Sequence, residues 1–278
     1  MKLKAFVPLV TYPETNADTV VVNAISLATV IGSAIHALAI NVDIPNVSNA
    51  LSRLMLDTPR MIRNAEAASR TRGEELLAAF EKAAGSAGVV LTRDAVTGPI
   101  AMLGDIAAAH ARYYDLSFVA WEKENQTSRS TAEAVIFGAG RPAIVLPANA
   151  DISSFDRVAI AWDGSRVAAR ALADARLFLE RAKHVSIITV TDEKPLKEKD
   201  AAQRLAKVLQ DGGLAAAAMP VQSEDCPIAE TLQRTAIDQA CTLLVMGGYG
   251  HSRMRDFVLG GATEGVLADL RLPILLSH

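Results

Sequence analysis

Gly247, Gly248 and Gly250, followed by Gly260 and Gly261, fall within one short segment that also holds His251, Ser252 and Arg253. Glycine lets a backbone take positive φ and approach a bound group closely. Exposed N–H groups at such a turn, and at the start of the next helix, can hold phosphate oxygens. The spacing is neither the dinucleotide fingerprint nor the phosphate loop that ends in Lys-Ser/Thr. Taken alone, a structural turn explains it as well. Asp163 adds weight, because it ends the apolar run 157–162 and is followed by Gly164-Ser165. An aspartate there could hold a ribose hydroxyl or a metal ion on the phosphates. His251 and Arg253 could touch phosphates or simply face solvent.

Other chemistries find less support. No nucleophile–base–acid trio can be assembled. Cys226 precedes Pro227 near a helix start, a setting that can lower a thiol pKa, though an idle thiol is the better reading. Cys226 and Cys241 make no disulfide scaffold and have no zinc-ligand spacing. With 28 basic and 31 acidic residues, the chain offers no basic patch for nucleic acid. Tyr12, Trp121 and Trp162 are scattered and form no base-stacking platform. The run after Lys2 and Lys4 is broken by Pro8 and reads as no signal peptide. A cytoplasmic protein with reduced thiols is the expectation.

The elements that would position these residues can be read from periodicity. In the second half, the strand 157–162 leads through Asp163-Gly164-Ser165 into a helix with Val167, Ala168, Ala171, Leu172, Ala175 and Leu179 on one face. Ser165 is placed to cap it. A strand at 185–190, a helix at 201–209, a weaker alanine-rich strand at 214–221 and a helix at 228–239 follow. The strand 242–246 runs straight into the glycines, and a helix at 263–269 and a strand at 273–276 close the half. The first half repeats the order, with strands at 3–10, 34–42, 89–93, 116–120 and 143–146. Helices fall between them, within 46–84, at 100–112 and at 132–137.

Residues 19–42 carry no formal charge, a length that could span a membrane. Asn23, Ser26, Thr29, Ser33, His36 and Asn41 punctuate the run. A helix to about Gly32 followed by a strand buried on both faces accounts for it better.

Strands alternating with helices predict an α/β protein of two tandem copies. Each copy is an open, mainly parallel five-stranded sheet with helices on both faces. Pro99 precedes Leu116 by 17 positions and Pro227 precedes Leu243 by 16. From Leu116 to Pro142 is 26 positions, against 30 from Leu243 to Pro273, so the first copy is shorter where the second carries its glycines. A polar linker at 147–151 puts the domains at 1–150 and 151–278.

These residues resemble the universal stress protein family. Gly247, Gly250 and Gly260 match its Gly-x2-Gly-x9-Gly-Ser/Thr loop, through which many members bind ATP. Ala161-Trp162-Asp163-Gly164-Ser165 looks like its first-strand ending with the nucleotide-contacting aspartate. Val190 matches a position whose backbone lines the adenine pocket. The resemblance implies a nucleotide site of Ala161, Asp163, Val190, Met246, Gly247, Gly250, His251, Gly260, Gly261 and Ala262. ATP would be the ligand, and Asp163 would face any Mg²⁺. Gly261 stands where the family has a hydroxyl, and losing that bond to a charged group costs about 1.5–3 kcal/mol at most. The first half has Trp121-Glu122-Lys123-Glu124-Asn125-Gln126 at the loop and Val10 at the aspartate position. It reads as a scaffold.

The resemblance also implies pairing between the two closing strands, leaving any homodimer to another surface. The functional expectation is an ATP-binding stress-response or regulatory protein. The alternatives are a nucleotide-free structural or interaction module and, less favoured, a slow ATPase lacking a clear general base. Neither nucleic acid nor membrane is an expected partner.

Overall fold

A computed structural model describes residues 2–45, 57–150, 152–192, 198, 200–248 and 261–278. The chain divides into two compact units, Met1–Ala139 and Gly140–His278. Both are α/β.

In the first unit, β1 (Lys4–Val10) and β2 (Ala34–Asp43) run parallel, from Lys4 beside Ala34 to Val10 beside Ile40. Between them, α1 (Thr19–Ile31) ends at Gly32, whose φ of 69° is left-handed. Its N–H bonds back to the carbonyls of Ala28 and Thr29, a turn that glycine enters without a Cβ clash. The uncharged run is therefore helix, cap and buried strand. Among the described residues no helix is long and apolar enough to cross a membrane.

Next comes α2 (Thr58–Ala87), with Pro59 in its first turn and Asp57 accepting from the Arg60 N–H. β3 (Leu91–Pro99) lies along β2 from Ile35 beside Leu91 to Asp43 beside Pro99. Sequence patterning ended this strand at Arg93, because Arg93 and Asp94 interrupt the apolar run. On an edge strand those charges point to solvent, so pairing continues to Pro99. A short 3₁₀ turn (Ile100–Met102), α3 (Leu103–Ala111), β4 (Leu116–Trp121) and α4 (Gln126–Gly138) complete the unit. Its strand order is β3-β2-β1-β4, with β4 parallel to β1.

The second unit contains β5 (Ala143–Pro147), β6 (Arg157–Ala161), α5 (Arg166–Asp174), α6 (Arg176–Leu179) and β7 (His184–Val190). It continues with α7 (Ala201–Asp211), β8 (Ala216–Val221), α8 (Ile228–Asp238), β9 (Leu243–Gly247), α9 (Gly261–Ala268) and β10 (Ile274–Ser277). The order is β5-β10-β9-β6-β7-β8. All neighbours are parallel except β5 and β10, which pair antiparallel through Ala143–Leu276, Ile144–Leu275 and Val145–Ile274. The two closing strands meet as expected. The alanine-rich β8 forms despite its weak propensity, and it can carry Pro220 because it lies at the sheet edge.

With this strand order, the right-handed rule for parallel crossovers assigns α5 and α7 to one face of the second sheet and α8 and α9 to the other. Its core is aliphatic, with Val158, Ile160, Ile187, Ile188, Leu244, Val245 and Leu275 buried along the strands.

Candidate functional site

The strand order makes β6 the switch point of the second unit, since the chain leaves it for β7 on one side while β9 flanks it on the other. Crevices at the carboxyl ends of such strands are where open α/β sheets place ligands. Three strand ends meet there. Val158 to Ile160 pair with Leu243 to Val245 of β9, and Arg157 to Ala161 pair with His184 to Ile188 of β7. Ala161, Gly247 and Val190 thus close three adjacent parallel strands.

Asp163 lies just beyond β6 and is exposed. Its Oδ1 accepts the Ser165 N–H at 2.9 Å, which tightens the turn, and Gly164 takes φ 71°. Ser165 caps α5 by accepting the Ala168 N–H at 3.2 Å, as its position implied. The Trp162 N–H bonds to the Ile188 carbonyl at 2.9 Å, and its own carbonyl accepts from Thr189 Oγ1 at 2.6 Å. The turn is therefore tied to β7 on both sides.

Val190 is buried at the end of β7. Two residues on, Asp192 accepts the backbone N–H groups of Ser223 and Glu224. Those bonds hold its carboxyl below the usual carboxylate range. The clasped loop then passes through Glu224 and Asp225, at φ 48° and 66°, into α8. Met246 is buried in β9. Gly248 donates its N–H to the Ser277 carbonyl at 2.7 Å. Gly261 is exposed and opens α9, with Ala262 beside it. Gly250, His251 and Gly260 lie outside the described residues.

Between the Asp163 turn and α7 is an open cavity of about 310 Å³. Trp162, Asp163 and Gly164 form one wall and Ala201, Leu205 and Val208 the other, with Arg204 and Glu198 also lining it. Arg204 is ion-paired with Glu198. The Trp162 indole N–H is buried with no hydrogen-bond partner among the described residues. Sequence periodicity had marked Ala202, Leu205, Ala206 and Leu209 only as an amphipathic helix. Nothing local ties Arg204 to Asp163, because α7 and the β6–α5 turn meet only in three dimensions.

No group of three or more His, Cys, Asp or Glu side chains that could hold a metal ion is found among the described residues. A magnesium ion here would need phosphate oxygens for most of its ligands. One carboxylate from Asp163 is the share a protein commonly gives to such an ion.

Residues 154–278 match the model of the universal stress protein family. The second half of the chain thus carries the sequence pattern of the universal stress protein family. A curated universal stress protein of Synechocystis is 28% identical over 146 residues, covering 51% of this chain and 49% of its own. The chain thus spans about half the length of that relative. Among solved structures, a universal stress protein from Archaeoglobus fulgidus aligns with a TM-score of 0.68 at 16% identity, over 98% of this chain and 95% of its own. A functionally unknown protein from Pseudomonas aeruginosa gives 0.57 at 15% identity, over 98% and 92%. At such identities these likenesses show the fold alone, and they show it along nearly the whole chain.

Proposed function

We propose that the second unit binds an adenine nucleotide, ATP in the first instance, and that the protein acts as a nucleotide-responsive stress or regulatory protein. Convergence carries the reading: Asp163, Val190 and Gly247 come to the carboxyl ends of three neighbouring parallel strands, at the switch point. Met246 backs the site from β9, and Ala161 and Trp162 form the approach to Asp163. The phosphates would run towards Gly247, Gly250 and the start of α9 at Gly260, Gly261 and Ala262, with His251 within the same loop. The base would lie near Val190 and the cavity wall at Trp162. Asp163 would face the ribose or a phosphate-bound Mg²⁺. The role is binding first, since no residue of the described site is placed as a general base. A cytoplasmic location fits this role.

The test uses the full chain. Asp163→Asn keeps an oxygen for the Ser165 N–H while removing the charge, so the turn survives, which Asp163→Ala would not guarantee. Isothermal titration with ATP should show that the parent gains affinity with Mg²⁺ over chelator, and that Asp163→Asn loses most of that gain, about 5- to 10-fold. If the parent binds no ATP at millimolar concentration, the nucleotide reading fails and the interaction-module reading replaces it.

A further inference from the structure

The first unit has the same switch point, between β1 and β4, with different residues in it. Ala5 pairs with Leu116 as Val158 pairs with Leu243, and five residues on from each stand Val10 and Asp163. Glu122, the first residue beyond β4, turns inward instead of opening a glycine loop. Its Oε1 accepts the Ala17 backbone N–H at 3.0 Å and Asn16 Nδ2 at 3.2 Å, and its Oε2 accepts Asn125 Nδ2 at 2.9 Å. Asn16 and Asn125 are both buried.

Each donor is itself fixed. Asn16 Oδ1 takes the Val10 N–H at 2.7 Å, and the Asn16 N–H returns to the Val10 carbonyl at 3.0 Å. Asn125 Oδ1 caps α4 through the Ser128 N–H at 2.8 Å, while Nδ2 also donates to the Thr15 carbonyl. Arg72 of α2 closes the outer side, donating to Thr15 Oγ1, the Asn16 carbonyl and Asp18. Glu14 accepts the Gln126 N–H at 2.7 Å. A backbone N–H and two amide groups converging on one carboxylate are the donors that would otherwise suit an external anion, and bonds to an ionised acceptor are the stronger kind.

We propose that the crevice of the first unit is an anion cradle occupied by the protein's own Glu122, a self-liganded site that shuts out a nucleotide and fixes the unit as a scaffold. Arg72 is ion-paired with Asp18, and Glu14 and Glu122 leave negative charge at the crevice itself, so a polyphosphate would meet repulsion there as well as a filled cradle. This goes beyond the nucleotide reading of the second unit and does not depend on it.

Anion rescue in the full chain tests it, with formate as the probe and chloride at matched ionic strength as the control. Glu122→Ala empties the cradle. Amide exchange at Ala17 should become roughly tenfold faster or more, and formate should restore protection in the variant while leaving the parent unchanged. Unchanged exchange at Ala17 in Glu122→Ala overturns the proposal, and so does formate acting equally on both proteins. Should Glu122→Ala not fold, Glu122→Gln decides. It keeps one carbonyl oxygen for the Ala17 N–H and loses the acceptor for one amide, so exchange should rise by a smaller factor without response to formate. Parental exchange there would overturn the proposal.

Discussion

The Cβ that Gly247 lacks would lie 2.6 Å from the carbonyl carbon of Val167 and 2.7 Å from the amide nitrogen of Ala168. The end of β9 is pressed against the first turn of α5, and both of those neighbours are backbone. A glycine is thus required here by packing before any ligand is considered. Gly247→Ala should destabilise the second unit by about 1–3 kcal/mol even without nucleotide, through overpacking that backbone cannot relieve. Urea unfolding of the nucleotide-free variant measures it, and a loss below about 0.5 kcal/mol would show that the helix shifts freely.

The two thiols stand in different surroundings. Cys241 is buried, and burial pushes its thiol up, against opposing pulls from Ser186 and Arg157. Cys226 is partly exposed in the turn held by Asp192. In the folded protein, iodoacetamide should modify Cys226 while Cys241 stays protected until urea opens the unit, because the thiolate is the reactive form. Peptide mass spectrometry over a time course separates the two. Equal rates in the native protein would contradict the burial of Cys241.

How much of this could be read from the chain alone depended on how local the cause was. Gly32 ends α1 through hydrogen bonds to residues three and four positions back, so the uncharged run resolved into helix and strand. Ser165 caps α5 three residues away, and the two closing strands were marked by their own apolar runs. Causes that reach across the fold were not legible. Glu122 looked only like a charge that would repel phosphate, because its partners Asn16 and Ala17 lie more than a hundred positions earlier. Gly247 looked like a ligand-facing glycine, since Val167 approaches it from another strand–helix unit. The full length of β3 was hidden for the opposite reason, as edge exposure let charged residues into a strand.

His36 on β2 is half-buried, with its Nδ1 at 2.9 Å from Thr92 Oγ1. Its ring stacks on Tyr114 at 5.1 Å and on Phe6 at 6.3 Å, and Phe6 in turn stacks on His110 at 6.4 Å. Burial is the largest influence and lowers its pKa from 6.5, Asp94 on β3 raises it, and His110 on α3 lowers it, leaving it depressed. The folded state therefore holds fewer protons than the unfolded state once the pH drops into that range. Stability from this group is fully present above the unfolded value and is lost as the pH falls through 6.5 towards the lower folded value. Below the folded value its contribution no longer changes. His36→Phe keeps an aromatic ring in the stack and removes the titration. Thermal unfolding of parent and variant, from about pH 8 to about pH 5.5 and so above the ordinary carboxylate range, should show a steeper acid-side fall in Tm for the parent. Parallel Tm curves would mean that the charge on His36 does not report on folding, and the depressed pKa would be wrong.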